Sequence, residues 1–186
     1  MAQSAEWQPE RYRDLVLLWA RQLHLDPRLQ RRFDASDLTQ DTMLKAHKKI
    51  GEFRGTTEAE LLKWLHTILL NQLRDQIEHE EADRRNFKLE QALPEVVAES
   101  SARIDKWLAA DQSSPSEQAE RHEQELRLAA ALAQLPEDQR DAVILQKLMK
   151  ASVAEIASQM KRSQKAVAGL LRRGMQKLGE ILKANQ

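Results

Sequence analysis

Apolar side chains recur every three or four residues through most of this chain, and that spacing constrains the fold more than any other feature. In RYRDLVLLWARQLHL, Tyr12, Leu15, Val16, Trp19 and Leu23 share one face of a helix that ends near Asp26-Pro27. A short basic connector follows. FDASDLTQDTMLKAHKKIGEF predicts a second helix with Ser36 as its N-cap, burying Leu38, Met43, Leu44 and Ile50 and stopping at Gly51. After the loop FRGTTEAE, Thr57-x-x-Glu60 has the form of a capping box. The helix it opens is apolar at Leu61, Leu62, Trp64, Leu65, Ile68, Leu69 and Leu73 before turning charged. From His122 the rhythm returns as one helix to about Gln134, a break at Leu135-Pro136 and a second helix, EDQRDAVILQKLM. Two shorter helices, SVAEIASQM and SQKAVAGLLRRGMQKLGEIL, are each opened by a serine, Ser152 and Ser163.

Glycine and proline number only five each and aromatics are 4%, which disfavours twisted sheet, so the fold expected is all-α. Residues 86–121 interrupt the periodicity with prolines, serines and short apolar clusters, and read as a linker with a helical patch around Ile104 to Leu108, where Trp107 seeks cover from water. The expectation is two small helical domains, 1–85 and 122–186, joined by that linker. Charge divides the same way. The first part holds 14 basic and 15 acidic side chains, the linker 4 and 7, and the last part 11 and 7, net charges of −1, −3 and +4.

Several classes of function are disfavoured. Without cysteine there is neither a disulfide framework nor a thiolate metal site. The five histidines are scattered with no ligand spacing, and neither a glycine-rich phosphate loop nor a G-x-S-x-G elbow occurs, so no metal, cofactor or catalysis is expected. The start MAQSAEWQPERYRD lacks the regions of a signal peptide and no apolar run approaches a membrane span, so a cytoplasmic protein without membrane contact is expected.

Within this neutral chain, residues 160–177 carry six cations and no acid. On the last helix Val167, Leu170, Leu171, Leu178 and Ile181 face one way, and Lys165, Ala168, Arg172 and Gln176 largely another. The preceding VAEIASQM places small Ala157 where two helices cross, and a tight turn before a basic helix outlines a helix-turn-helix. Such a helix suits a phosphate-lined major groove, with Gln164, Lys165 and Ala168 nearest the base edges.

These residues together carry a family resemblance. FDASDLTQDTMLKAHKKIGEFRG followed by KWLHTILLNQLRDQ is similar to one block of the bacterial sigma factors of the extracytoplasmic-function type, which keep only sigma regions 2 and 4. ALAQLPEDQRDAVILQKLMKASVAEIASQMKRSQKAVAGLLRRGMQKL is similar to the other block, and the wording ASDLTQDT and LPEDQR resembles planctomycete-type members. The resemblance implies a non-catalytic protein that binds core RNA polymerase, through the β′ clamp helices and the β flap, and directs it to promoter DNA. It assigns Asp37, Leu38, Gln40 and Asp41 to the polymerase contact, with Leu38 the apolar anchor. It assigns the loop Phe53, Arg54, Gly55, Thr56 and Thr57, with Lys63, His66, Asn71 and Arg74 on the next helix, to the minus-ten element, Trp64 being core. It assigns Arg162, Ser163, Gln164, Lys165, Ala168, Arg172, Arg173 and Lys177 to the minus-35 element. An anti-sigma factor or a kinase is the kind of regulator implied. A helix-turn-helix regulator that binds duplex operator DNA without polymerase is the alternative reading.

The chain also departs from the pattern. Ala166, Ala168, Gly169 and Leu170 stand where the family has Thr, Lys, Ser and Arg, implying weaker or altered minus-35 contacts, and Lys161 stands where the turn has glycine.

Overall fold

A computed structural model describes residues 7–29, 33–81, 87–109 and 114–184, and every regular element among them is helical. The chain divides into two compact units, 1–122 and 123–186. The basic connector at 30–32, Asn86 and residues 110–113 of the expected linker lie outside the described residues.

In the first unit, α1 (Arg13–His24) follows a 3-10 turn at Pro9–Tyr12 and buries Leu15, Val16, Leu18, Trp19 and Leu23, as its spacing requires. Helix α2 (Ala35–Lys49) is capped by Asp34 rather than Ser36: the Asp34 carboxylate accepts from the amides of Ser36 and Asp37 at 2.7 and 3.0 Å. A carboxylate satisfies two orphan amides and matches the positive helix end, so it outcompetes a serine hydroxyl. The same two amides hold the Asp34 carboxyl below its ordinary range. The buried face of α2 is Ala35, Leu38, Thr39, Thr42 and Ala46, with both threonine hydroxyls donating to carbonyls one turn back. Leu44, expected inside, is 52% exposed. Gly51 sits in a 3-10 turn after α2, and no glycine among the described residues has positive φ.

Helix α3 (Glu58–Glu81) opens with the expected capping box, Thr57 Oγ1 accepting from the Glu60 amide and Glu60 Oε2 from the Thr57 amide. Its core extends past Leu73 to Ile77. The segment read as a linker forms a further long helix, α4 (Phe87–Ala109), packed on α3. It buries Leu93, Val96, Val97, Ser100 and Ile104, a stripe of three- and four-residue steps that Pro94 had disguised. Fully burying each aliphatic side chain contributes about 1.5–3 kcal/mol, which outweighs the roughly 3 kcal/mol an interior proline costs. Trp107 is half-buried with its ring 5.1 Å from that of His122, whose Nδ1 lies 3.3 Å from Glu58. Helix α5 (Pro115–Ala133) begins in this unit.

In the second unit the end of α5 buries Ala129, Ala131 and Leu132, Leu135 is buried beyond it, and α6 (Glu137–Val143) runs into a single π turn, Ile144–Leu148. Helix α7 (Val153–Met160) has a capping box between Ser152 and Glu155. It ends on Lys161 at φ 53°, ψ 45°, with the Arg162 amide donating back to Ala157 O at 2.9 Å. Lysine therefore does take the left-handed conformation that glycine supplies without strain. Helix α8 (Gln164–Ala184), capped through Ser163 Oγ and the Ala166 amide, buries Val167, Leu170, Leu171, Gly174 and Leu178 against α6 and α7.

Candidate nucleic-acid interface

The exposed side of α8 is continuous. Arg162, Ser163, Gln164, Lys165, Ala168, Arg172, Arg173 and Lys177 are all solvent-exposed, so the structure brings together every residue expected to meet duplex DNA in this unit. At about 100° per residue, Lys165, Arg172 and Gln176 lie opposite the buried face, while Arg173 and Lys177 stand roughly 80–120° round from Lys165. The cations therefore form a ridge and a flank rather than one wall. No acidic side chain among the described residues pairs with Lys165, Arg172, Arg173 or Lys177. Arg162 differs, since its Nη2 meets Asp138 Oδ2 of α6 at 2.5 Å. Gly174, which on propensity alone only weakens the helix, has a packing reason: a Cβ there would lie 3.0 Å from Val143 Cγ2 and 3.2 Å from Gln139 O.

In the first unit the loop 53–57 is exposed at Arg54, Thr56 and Thr57. Glu60 Oε2 gathers the amides of Thr56 and Thr57 and the Thr57 hydroxyl, which keep its carboxyl low. Arg54 Nη1 donates to Gly51 O at 3.0 Å. The missing Cβ of Gly55 admits the Phe53 ring, which lies over it; any side chain there would collide with Phe53. Phe53 in turn sits 5.2 Å from the ring of Trp64 and 6.2 Å, edge-on, from Trp7. Trp64, expected in the core, is half-exposed, and Trp7 was not anticipated at this site.

Of the four side chains expected to line single-stranded DNA on α3, Lys63, Asn71 and Arg74 are exposed and His66 is not. His66 is 3% exposed, its Nε2 3.0 Å from Ser100 Oγ and its ring 5.3 Å, edge-on, from Trp19. Burial first, then the charge of Arg103, push the imidazole down to about 4 against an opposing Asp105. A neutral ring sealed under α4 cannot reach DNA. Its position was legible, because residue 66 follows Leu62 and precedes Leu69 on the same face. Asn71 Oδ1 accepts from Arg74 Nη1 at 3.1 Å, and Lys63 Nζ meets Asp105 Oδ1 at 2.7 Å.

On α2, Asp37, Gln40 and Asp41 are exposed, and Asp41 Oδ2 accepts from Gln76 at 2.9 Å. Leu38, expected as an interface anchor, is wholly buried and belongs to the core. The apolar group on the exposed face is Leu44, one turn from Gln40 and two from Asp37.

Among the described residues no helix is long and apolar enough to cross a membrane, and no group of three or more potential ligands could hold a metal ion. Family models described as Sigma-70 region 2 and Sigma-70, region 4 match residues 10–82 and 125–178. The chain is 30% identical over 164 residues to the ECF RNA polymerase sigma factor SigM of Mycobacterium tuberculosis, covering 87% of this chain and 72% of that one. It is 32% identical over 148 residues to the RNA polymerase sigma factor CarQ of Myxococcus xanthus, covering 80% and 74%. The solved complex of the sigma factor RpoE with the anti-sigma factor NepR from Bartonella quintana is similar at 21% identity over 92% of this chain and 94% of that one; its TM-score of 0.34 is too low to support a comparison.

Proposed function

The chain belongs to the extracytoplasmic-function sigma factors of the sigma-70 family, RNA polymerase subunits that direct transcription initiation, and from that premise we propose which of its surfaces does what. The first unit docks on the β′ clamp helices through α2, where Asp37, Gln40 and Asp41 surround Leu44. Acidic and amide groups around one exposed leucine have the make-up of a protein interface, and Leu44 replaces Leu38 as its apolar anchor. The loop Phe53–Thr57, with Lys63, Asn71 and Arg74, engages the unpaired minus-ten strand; exposed hydroxyls and cations beside the half-exposed aromatics support that reading. His66 supports the site from beneath.

The second unit engages the minus-35 duplex through α8 and meets the β flap. The observation that carries this is the unpaired ridge of Lys165 and Arg172 on a helix fixed by its Ser163 cap and a close α6 crossing. Phosphate contacts dominate, because Ala166, Ala168 and Gly169 offer bases little to bind. The protein works in the cytoplasm without catalysing a reaction itself, and the ASDLTQDT and LPEDQR wording supports a place near planctomycete-type members.

Run-off transcription by purified core polymerase over a broad promoter library tests the assignment. Initiation that requires this chain and falls with Asn71→Ala and Lys165→Ala is expected. Operator binding by the chain alone, with no promoter-dependent initiation, would return the reading to a polymerase-independent regulator.

A further inference from the structure

Resting on the minus-ten assignment of α3, we propose that α4 is an intramolecular occupant of that site, which promoter DNA must displace. Two of the three α3 side chains kept in the minus-ten site, Lys63 and Arg74, face α4, as does the buried His66 that supports them. Asp105 pairs with Lys63, Ser100 meets buried His66, and Arg74 borders a cavity of about 380 Å³ whose other walls include Leu93, Pro94, Val97 and Ser101. A DNA strand following α3 past Lys63 and Arg74 would meet α4 along its length.

The chemistry of the contact imitates the ligand. Carboxylates of α4 sit on cations of the remainder of the unit: Asp105 on Lys63, and Glu99 bidentate on Arg28, at 2.9 and 2.5 Å. Arg28 is fixed for this by Asp26, which accepts from its backbone amide, Nε and Nη2. Asp105 holds the Lys63 cation until a phosphate competes for it, Glu99 ties α4 to Arg28 outside the DNA site, and both pairs are exposed enough for salt to weaken them. Helix α4 is also intrinsically weak. Pro94 removes one helical amide from its interior, so the helix depends on the face it lays on α3 and loses order once lifted. The buried stripe keeps α4 closed in the free chain, and polymerase and DNA together supply the energy to displace it.

The chain contains no cysteine, which allows a clean test. In the full chain Arg28→Cys and Glu99→Cys, neither residue assigned to DNA or polymerase, are bridged by a reducible bis-maleimide, and the chain is assembled with core polymerase. The bridged protein is expected to form holoenzyme but to open promoter DNA at least tenfold more slowly than the unbridged one, with recovery on reduction. In parallel, Glu99→Gln with Asp105→Asn is expected to raise the affinity of the free chain for a labelled single-stranded oligonucleotide about three- to tenfold, as a larger fraction becomes binding-competent. Equal opening rates for bridged and unbridged protein, or unchanged oligonucleotide affinity, would overturn the proposal while leaving the sigma assignment intact. If wild-type and unbridged chains alike opened no promoter, the functional reading would fall and the proposal with it.

Discussion

His66 Nε2 and Ser100 Oγ lie 3.0 Å apart at the seam between α3 and α4, both almost wholly buried. The folded imidazole takes a proton only near pH 4, whereas an unfolded one does so near 6.5. Between those values the unfolded chain binds more protons, so stability rises with pH. The contribution is complete above about pH 6.5 and is lost as pH falls toward 4, to the extent of about 3 kcal/mol. Urea midpoints from pH 4 to 7.5 are expected to show this slope. His66→Phe, which keeps an edge-on ring against Trp19, should flatten it, and an unchanged slope would mean another group titrates.

Leu38 and Leu44 are six residues apart on α2, one wholly buried and one more than half exposed. Leu38→Ala is expected to cost about 2–5 kcal/mol of stability through the cavity it leaves. Leu44→Ala should change stability by less than about 0.5 kcal/mol while weakening core polymerase binding about tenfold or more. Asp41→Arg should abolish polymerase binding without altering the duplex affinity of α8. Denaturation and pull-down on the same preparations separate the effects; equal stability losses for both leucines would contradict the burial assigned to them.

This contrast shows what spacing reveals and what it does not. Caps at Thr57, Ser152 and Ser163 and the apolar stripes of α1, α3 and α8 were readable because each follows from local geometry. Hydrophobicity misassigned α2, where Thr39 and Thr42 enter the core by returning their hydroxyls to their own backbone and Leu44 turns outward. Pro94 hid α4 because its cost is local while its compensation comes from α3. The α8 ridge was legible because cations opposite an apolar stripe need no tertiary information, but the pairing of Lys63 with Asp105 links residues 42 apart and leaves no local mark.

Gly169 and Gly174 have the same helix propensity and opposite surroundings. At Gly169 a new Cβ would meet only the end of the Arg173 side chain, at 3.3 Å, so Gly169→Ala is expected to stabilise by about 1 kcal/mol. At Gly174 the neighbours are Val143 and the Gln139 carbonyl, and overpacking should make Gly174→Ala cost about 1–3 kcal/mol. Opposite shifts in thermal midpoint check this, and a stabilising Gly174→Ala would refute the close crossing of α6 and α8.

Lys161 adopts φ 53° at the turn between α7 and α8, where the β-carbon of an L-residue crowds the backbone by about 1 kcal/mol. Its amide and that of Arg162 satisfy the last carbonyls of α7, so the turn keeps this geometry despite the strain. Lys161→Gly should slow amide exchange in α7 and the first turns of α8 about fivefold in the intact chain, the equivalent of about 1 kcal/mol. Lys161→Ala retains the β-carbon and should not, which separates backbone relief from loss of the side chain. Duplex affinity is expected to fall modestly in both variants, with a shallower salt dependence, because both lose the same cation beside the Lys165 ridge. Equal exchange in the glycine and alanine variants would mean the turn stores no strain, and that lysine is here for DNA alone.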